Sequence, residues 1–395
     1  MTTHIGIGFS QEHNTTNAAR EAAIQAKAQT KQQIIHMAIV FSTVHYGPLE
    51  TLRAIRQTLV GAKILGCSTA GIILSQTIEM RGIAVLAFSS QDIKFGIGSV
   101  GDLTSINMRI AGSELAKKTL VDFGQNRRGI FLLIADGLLT DISLILKGVQ
   151  ERLGKVFPIV GAGSSDNFYF KETHQFFQDK VLRNSVTAVL FGGDLRMGLG
   201  NRHGFKPLGK PRYITKAEGN TIKTIDNKRA SGLYEEYLGL SLGELQSNQF
   251  TKTIILYPLG IHLREEKEYL LRTATNILND GSIVCQGDVP EGSEVHLMIG
   301  NKDFCKQAVV DATQEVRDAL SGVPPKLVIV FESLSRYRLL GRNAFEEIEV
   351  IREILGPAIP IIGMYSYGEI APLKSFHLMG EAYLQNGTIV ILAMA

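Results

Sequence analysis

Cysteine, net charge and long apolar runs are all scarce in this chain of 395 residues, and each scarcity excludes something. Three cysteines, Cys67, Cys285 and Cys305, are too few for a disulfide framework or a zinc ligand set, and a cytoplasmic, reducing location fits them. Forty-one basic residues against 38 acidic ones leave only +3. Basic pairs such as Arg127-Arg128 and Lys228-Arg229 are isolated, so neither nucleic acid nor an anionic membrane is expected as a partner. No apolar run approaches the ~20 residues of a membrane span. The first residues carry no basic segment followed by an apolar one, so no secretory leader is expected.

What is present is a globular composition, 45% hydrophobic and 20% charged, in a chain long enough for two or three cores. Residues 4–9 read as a strand. An N-cap signal at Asn14-Thr15-Thr16 then opens a helix whose inward face is nearly all alanine, which predicts close packing on a sheet. From residue 37 a pattern of strand, amphipathic helix, glycine and strand appears and then recurs: Met37–Phe41 with the helix from Pro48, Ile130–Ala135 with Ile142–Leu153, and Leu327–Phe331 with Phe345–Leu355. Asp92-x-x-x-Gly96-x-Gly98 matches Asp194-x-x-x-Gly198-x-Gly200, which marks an internal duplication over about 37–100 and 130–204. The Gly-, Pro-, Lys- and Thr-rich stretch 205–229 is read as a domain boundary, giving domains 1–229 and 230–395. Residues 251–300 read as an antiparallel meander with turns at Asp280-Gly281 and Glu291-Gly292, followed by a helix over 303–320. The expected fold class is α/β: mixed β-sheets built from repeated βαβ-plus-hairpin units, with helices on the outer faces.

Each repeat carries a strand that opens into glycine and hydroxyl groups: Gly66-Cys67-Ser68-Thr69, Gly161-Ala162-Gly163-Ser164-Ser165-Asp166-Asn167, and Gly363-Met364-Tyr365-Ser366-Tyr367-Gly368-Glu369. Such loops present N–H and O–H donors to a ligand, and they equally well close on their own backbone. In the third, strand parity puts Tyr365, Tyr367 and Glu369 on one face, a set suited to an amine-bearing ligand whose carboxylate would meet Arg272 or Arg336. Ser68, Thr69, Ser164, Asp166, Asn167, Ser366 and Gly368 complete the expected ligand-binding set. Gly96-x-Gly98-x-x-Gly101 satisfies a dinucleotide-binding pattern in letters, but it lies in the strand repeat and does not open a helix. Cys67 is the one candidate nucleophile, with no partner assignable; no enzymatic activity is expected. Nine histidines show no ligand spacing, and only His45 and His174 fall near the repeat loops.

Residues 361–372, with the Asn386-Gly387-Thr388 turn before the last strand, resemble the C-terminal half of the FIST family of sensory proteins. Residues 64–72, 161–168 and 257–298 are similar to further landmarks of that family, in the same order. The family often carries Cys-x-x-Arg after the strand of the third unit; here Ser333 stands at the cysteine position and Arg336 keeps the arginine. The resemblance implies a FIST N-terminal and a FIST C-terminal domain and a signal-input role. It further implies a small ligand, amino acids being the usual proposal. Signalling would pass through a separate partner such as a histidine kinase. Some members are haem-binding nitric oxide sensors, so haem is the alternative ligand, placed on no residue here.

Overall fold

A computed structural model describes residues 3–31, 34–247, 253–263, 268–373 and 380–395. Three units follow one another, each running strand, helix, strand, helix, strand, hairpin, strand. The first comprises β1 (His4–Ser10), α1 (Thr15–Gln29), β2 (Met37–Thr43), α2 (Pro48–Thr58), β3 (Lys63–Thr69), the hairpin β4 (Ile72–Leu74) and β5 (Ile78–Glu79), and β6 (Ile83–Ser89). The second comprises β7 (Ile93–Val100), α3 (Met108–Phe123), β8 (Arg128–Ala135), α4 (Ile142–Leu153), β9 (Ile159–Gly163), the hairpin β10 (Gln175–Phe177) and β11 (Lys180–Leu182), and β12 (Val186–Gly193).

The third opens with β13 (Met197–Arg202) and is interrupted by an insertion. That insertion holds β14 (Phe205–Glu218), β15 (Thr221–Ile225), β16 (Lys228–Arg229), α5 (Gly232–Leu238), α6 (Leu242–Leu245), β17 (Leu259–His262), β18 (Tyr269–Arg272), β19 (Ala274–Ile277), β20 (Ile283–Cys285) and β21 (Glu294–Gly300). The unit resumes with α7 (Lys302–Ala319), β22 (Leu327–Ser333), α8 (Leu334–Leu340), α9 (Phe345–Leu355), β23 (Ile361–Ser366), the hairpin β24 (Glu369–Pro372) and β25 (Ala382–Gln385), and β26 (Ile389–Met394). Part of the expected meander, residues 251–252 and 264–267, lies outside the described residues.

Each unit lays its four long strands in the order first, last, second, third: β1-β6-β2-β3, β7-β12-β8-β9 and β13-β26-β22-β23. Within each, the second and third strands are parallel, as their helical crossover requires, and the last strand is antiparallel. The hairpins do not stay at home. β10 pairs with β3, β24 pairs with β9, and β4 pairs with β23, so each unit completes the sheet of another in a closed three-way exchange. Side chains of all three sheets, among them Phe41, Leu132 and Phe331, meet in one central core, and the helices cover the outer faces in three satellite cores.

Two sets of glycines are equivalent across the units and show why the sequence repeats. In the first strands, a Cβ at Gly8 would fall 1.9 Å from the carbonyl of Ala22, and one at Gly200 would fall 2.0 Å from that of Ala312. Gly98 is pressed on α3 in the same way, beside Thr119. These glycines seat α1, α7 and α3, and Gly96-x-Gly98-x-x-Gly101 is accounted for as one such seat. The alanine face of α1 (Ala18, Ala19, Ala22, Ala23, Ala26) is wholly buried, as expected. In α2, Leu52 and Ile55 turn inward, while Leu49 is exposed in the first turn. In the third strands, Gly66, Gly161 and Gly363 sit opposite Val40, Leu133 and Val330 in matching register, and a Cβ on any of them would strike that partner's carbonyl oxygen.

Candidate functional site

The parallel strands of all three units end on the same side of the molecule, and the three glycine loops meet there. Their hydrogen-bonding groups are engaged mostly with one another. Ala70 N donates to Ser165 Oγ at 2.8 Å, Ser165 Oγ and Thr69 Oγ1 both donate to the Tyr365 carbonyl, and Tyr365 N donates to the Gly71 carbonyl. Tyr367 N donates to Gly163 O, and Gly163 N donates to Gly368 O. Ser164 Oγ sits among the Ala135 carbonyl, Thr173 and Gln175. Thr69 and Ser165 therefore join the units, and Ser164 braces the second one from within.

Beside this junction lies a cavity of about 410 Å³. The loop after β8 (Gly137 to Thr140), the start of α8 (Ser333 to Ser335) and Ser366-Tyr367-Gly368 form one side. The inserted sheet closes the other with Thr273, Ala274, Thr275, Cys285 and Gln286, while Phe168, Phe170 and Asn386 stand at the edges. A crevice at the carboxyl ends of parallel strands is where open α/β sheets receive ligands. Among the described residues, no Asp, Glu, Lys, Arg or His lines it.

The residues expected to bind a ligand divide sharply around this cavity. Ser366, Tyr367 and Gly368 line it. Tyr365 does not: its ring lies against Tyr337, 4.8 Å between centroids, and is wholly buried. The parity that put Glu369 on the same face is broken at Gly368, whose φ of +87° turns the chain out of β23 and into β24 of another sheet. Glu369 sits behind Ser366, accepting from Ser366 Oγ at 2.7 Å and from Thr388 N and Oγ1. Burial pushes its carboxyl up to about 7. Arg336 is fully buried between Glu347, which it bonds, and Glu332, 3.8 Å away, and it donates to the carbonyls of His203 and Cys305. One guanidinium between two buried carboxyls leaves a surplus negative charge. Burial, with Glu347 adjacent, raises the Glu332 carboxyl well above the usual carboxylate range. Arg272 is likewise buried, donating to the carbonyls of Asp288, Leu271 and Leu384, and it faces a separate 180 Å³ hollow. Neither arginine reaches the large cavity.

Asp166 organises the second loop. Its carboxylate accepts from the amides of Phe170, Lys171 and Glu172 and from the Tyr367 hydroxyl at 2.7 Å, while Phe168 N donates back to Tyr367 Oη. This clamp holds Asn167, Phe168 and Phe170 at φ of 60°, 63° and 50°, a conformation that bulky residues rarely adopt. It stacks Phe170 on Tyr367 at 4.7 Å. On its far side, Asp166, Lys171, Glu172, His45, His174 and Ser68 border a second cavity of about 340 Å³. Cys67 borders no described cavity. Its thiol lies in the central core, 3.5 Å from Met364 Sδ, and burial raises it far above a reactive range. Gln286, Asn386, Ser335, Phe168 and Phe170 were not among the expected binding residues. The local signals near them were Ser333 in place of a cysteine and the Asn386-Gly387-Thr388 turn.

Haem needs an axial ligand, and among the described residues the large cavity presents neither histidine nor methionine. Its one sulfur, Cys285, is a thiol pushed up to about 12 by burial. The lining does not fit the group. Among the described residues no cluster of three or more His, Cys, Asp or Glu could hold a metal ion, and no helix is long and apolar enough to cross a membrane.

Residues 36–228 match the model of the FIST N domain and residues 230–372 that of the FIST C domain. An uncharacterized protein of Methanocaldococcus jannaschii is 23% identical over 306 residues, covering 72% of this chain and 57% of its own length, so the chain spans little more than half of that relative. An uncharacterized protein of Mycobacterium bovis is 23% identical over 384 residues, 93% of this chain and 94% of its own. Among solved structures, cyanuric acid hydrolase from A. caulinodans overlays with a TM-score of 0.43 at 8% identity, over 100% of this chain and 99% of that one. A chorismatase overlays with a TM-score of 0.35 at 7% identity, over 100% and 98%. Neither lends this chain a property.

Proposed function

The chain belongs to the FIST family, whose domains are signal-transduction sensor domains, and from that premise we propose that it binds a small, largely apolar ligand in the 410 Å³ cavity. It acts in the cytosol as a signal-input protein, without turnover, and passes its state to a separate partner such as a histidine kinase. One observation carries this reading: the cavity is bounded by the second unit, the third unit and the inserted sheet at once. A ligand there touches three bodies of the fold and biases their relative placement, which a sensor requires. Ser335→Phe, which fills the cavity from α8, tests it. Across a metabolite panel, a true ligand raises the melting temperature of the wild type, by the equivalent of about 2.7 kcal/mol at a hundred times its Kd. The variant should keep the unliganded melting temperature and lose that response. A panel response that survives the substitution would place the site elsewhere.

A free amino acid, the ligand class implied by the resemblance, is better matched by the second cavity. Lys171 and Glu172 offer charges of both signs there, and Ser68 and Asp166 stand beside them. Lys171→Met would weaken amino-acid binding at that cavity and leave binding at the first untouched.

A further inference from the structure

We propose that the ligand of the large cavity is an uncharged, ring-sized molecule that presents hydrogen-bond donors, an N–H or O–H, to a wall made of acceptors. The inference rests on that cavity being the ligand site and goes on to its chemistry.

The wall at the third loop has a fixed polarity. Gln286 Nε2 donates to the carbonyls of Tyr367, at 3.0 Å, and Gly137, at 3.4 Å, so both its hydrogens are engaged. Asn386 Nδ2 donates to Gln286 Oε1 and to the Gln385 carbonyl, and its Oδ1 accepts from Thr273 N at 3.0 Å. Carbonyl partners on one side and an amide N–H on the other settle which way each side-chain amide points. With Glu369 ionised, the Ser366 proton is held at 2.7 Å by that carboxylate. The side-chain valences that Gln286, Asn386 and Ser366 have left over are therefore lone pairs: the second ones on Gln286 Oε1 and Asn386 Oδ1, and those of Ser366 Oγ; the backbone donors of the lining stand apart from them, in the Leu334 and Ser335 N–H groups at the start of α8. Hydroxyls elsewhere on the lining, such as those of Ser335 and Thr140, rotate to give or accept and impose no polarity.

Ligand charge of either sign is disfavoured. At this wall an anion would face lone pairs with no cation among the described lining residues, and a cation would find no carboxylate among them, because Glu369 stands behind Ser366. Elsewhere on the lining, Phe168, Phe170, Leu138 and Ile255 supply the apolar surface that a flat ring needs.

Matched probes at pH 8, where Glu369 is ionised, separate the possibilities. Indole carries one N–H on an apolar ring, N-methylindole is the same ring without the donor, and indole-3-carboxylate adds a negative charge. The chain contains no tryptophan, so the fluorescence of each probe reports binding without background. Indole should bind roughly tenfold tighter than N-methylindole, the effect of one hydrogen bond, and the carboxylate should be rejected. Ser335→Phe and, at the exposed mouth, Thr140→Phe should each weaken indole at least tenfold with melting temperature unchanged. Equal binding of indole and N-methylindole that both variants abolish would overturn the donor requirement and leave the cavity standing. Binding indifferent to both variants would overturn the cavity itself. Failure of all three probes to bind the wild type at millimolar concentration would overturn the ligand class.

Discussion

Glu369 illustrates how the burial of one residue becomes a measurable property. Its folded carboxyl titrates at about 7 against 4.5 for an unperturbed glutamate. The folded state thus holds the proton more tightly than the unfolded one. The stabilisation is complete below about 4.5, fades as pH rises between the two values, and is absent above about 7. Glu369→Gln mimics the protonated form: its amide can donate to Ser366, which then donates to the Glu332 carbonyl 3.2 Å away. No arginine is left unpaired by the change, since Arg336 is bonded to Glu347. The variant should fold. Measured by urea unfolding at pH 5 and pH 8, it should lack a loss of up to about 3 kcal/mol that the wild type shows across that interval. Parallel pH profiles for the two proteins would refute this account of Glu369.

Among elements, the third strands carry the sharpest demand on sequence. A Cβ at Gly161 would lie 1.8 Å from the Leu133 carbonyl, so Gly161→Ala must part β8 from β9 and should cost about 2–4 kcal/mol in chemical denaturation. Gly243→Ala in α6 meets nothing within 4 Å and should be neutral or stabilise by about 0.5–1 kcal/mol. Equal effects at the two glycines would contradict the close-approach reading. These glycines were legible in the sequence because one steric demand is repeated three times. So were the crossover helices, whose apolar spacing is local. The first-strand repeat was read at Gly96 and Gly198 but overlooked at Gly6 and Gly8, where no aspartate precedes the glycines. Residues 205–229, rich in glycine and proline, form β14, β15 and β16; Gly209 and Pro211 are tolerated where β14 slips register against β21 between Leu208 and Arg212, and Pro207 stands just before the slip, opposite Met298. The binding wall was largely illegible. Gln286 and Asn386 lie a hundred residues apart, and only the folded chain makes them neighbours. Nothing in the local pattern of Ile72–Glu79 names β23 as its partner.

For the whole molecule, the exchange of hairpins ties the three units into one cooperative body around a shared core. Residues 1–229 expressed alone would lack β23, the partner of β4, and residues 230–395 alone would lack β9, the partner of β24. Neither half should give a native-like melting transition, and the intact chain should unfold in one. A residues 1–229 fragment melting as sharply and as high as the full chain would disprove the interlock. The same exchange has a consequence in time. On the ribosome, the β4–β5 hairpin emerges well before β23, the strand it pairs with. At 5–20 residues per second, the nascent chain carries that hairpin with an unpaired edge for roughly fifteen seconds to a minute. The side chains of Ile72 and Ile73, one on each face of the strand, are meanwhile without their cores, and its edge is open to any passing strand. Synthesis, more than the finished fold, is where this protein is exposed to aggregation and most dependent on chaperones.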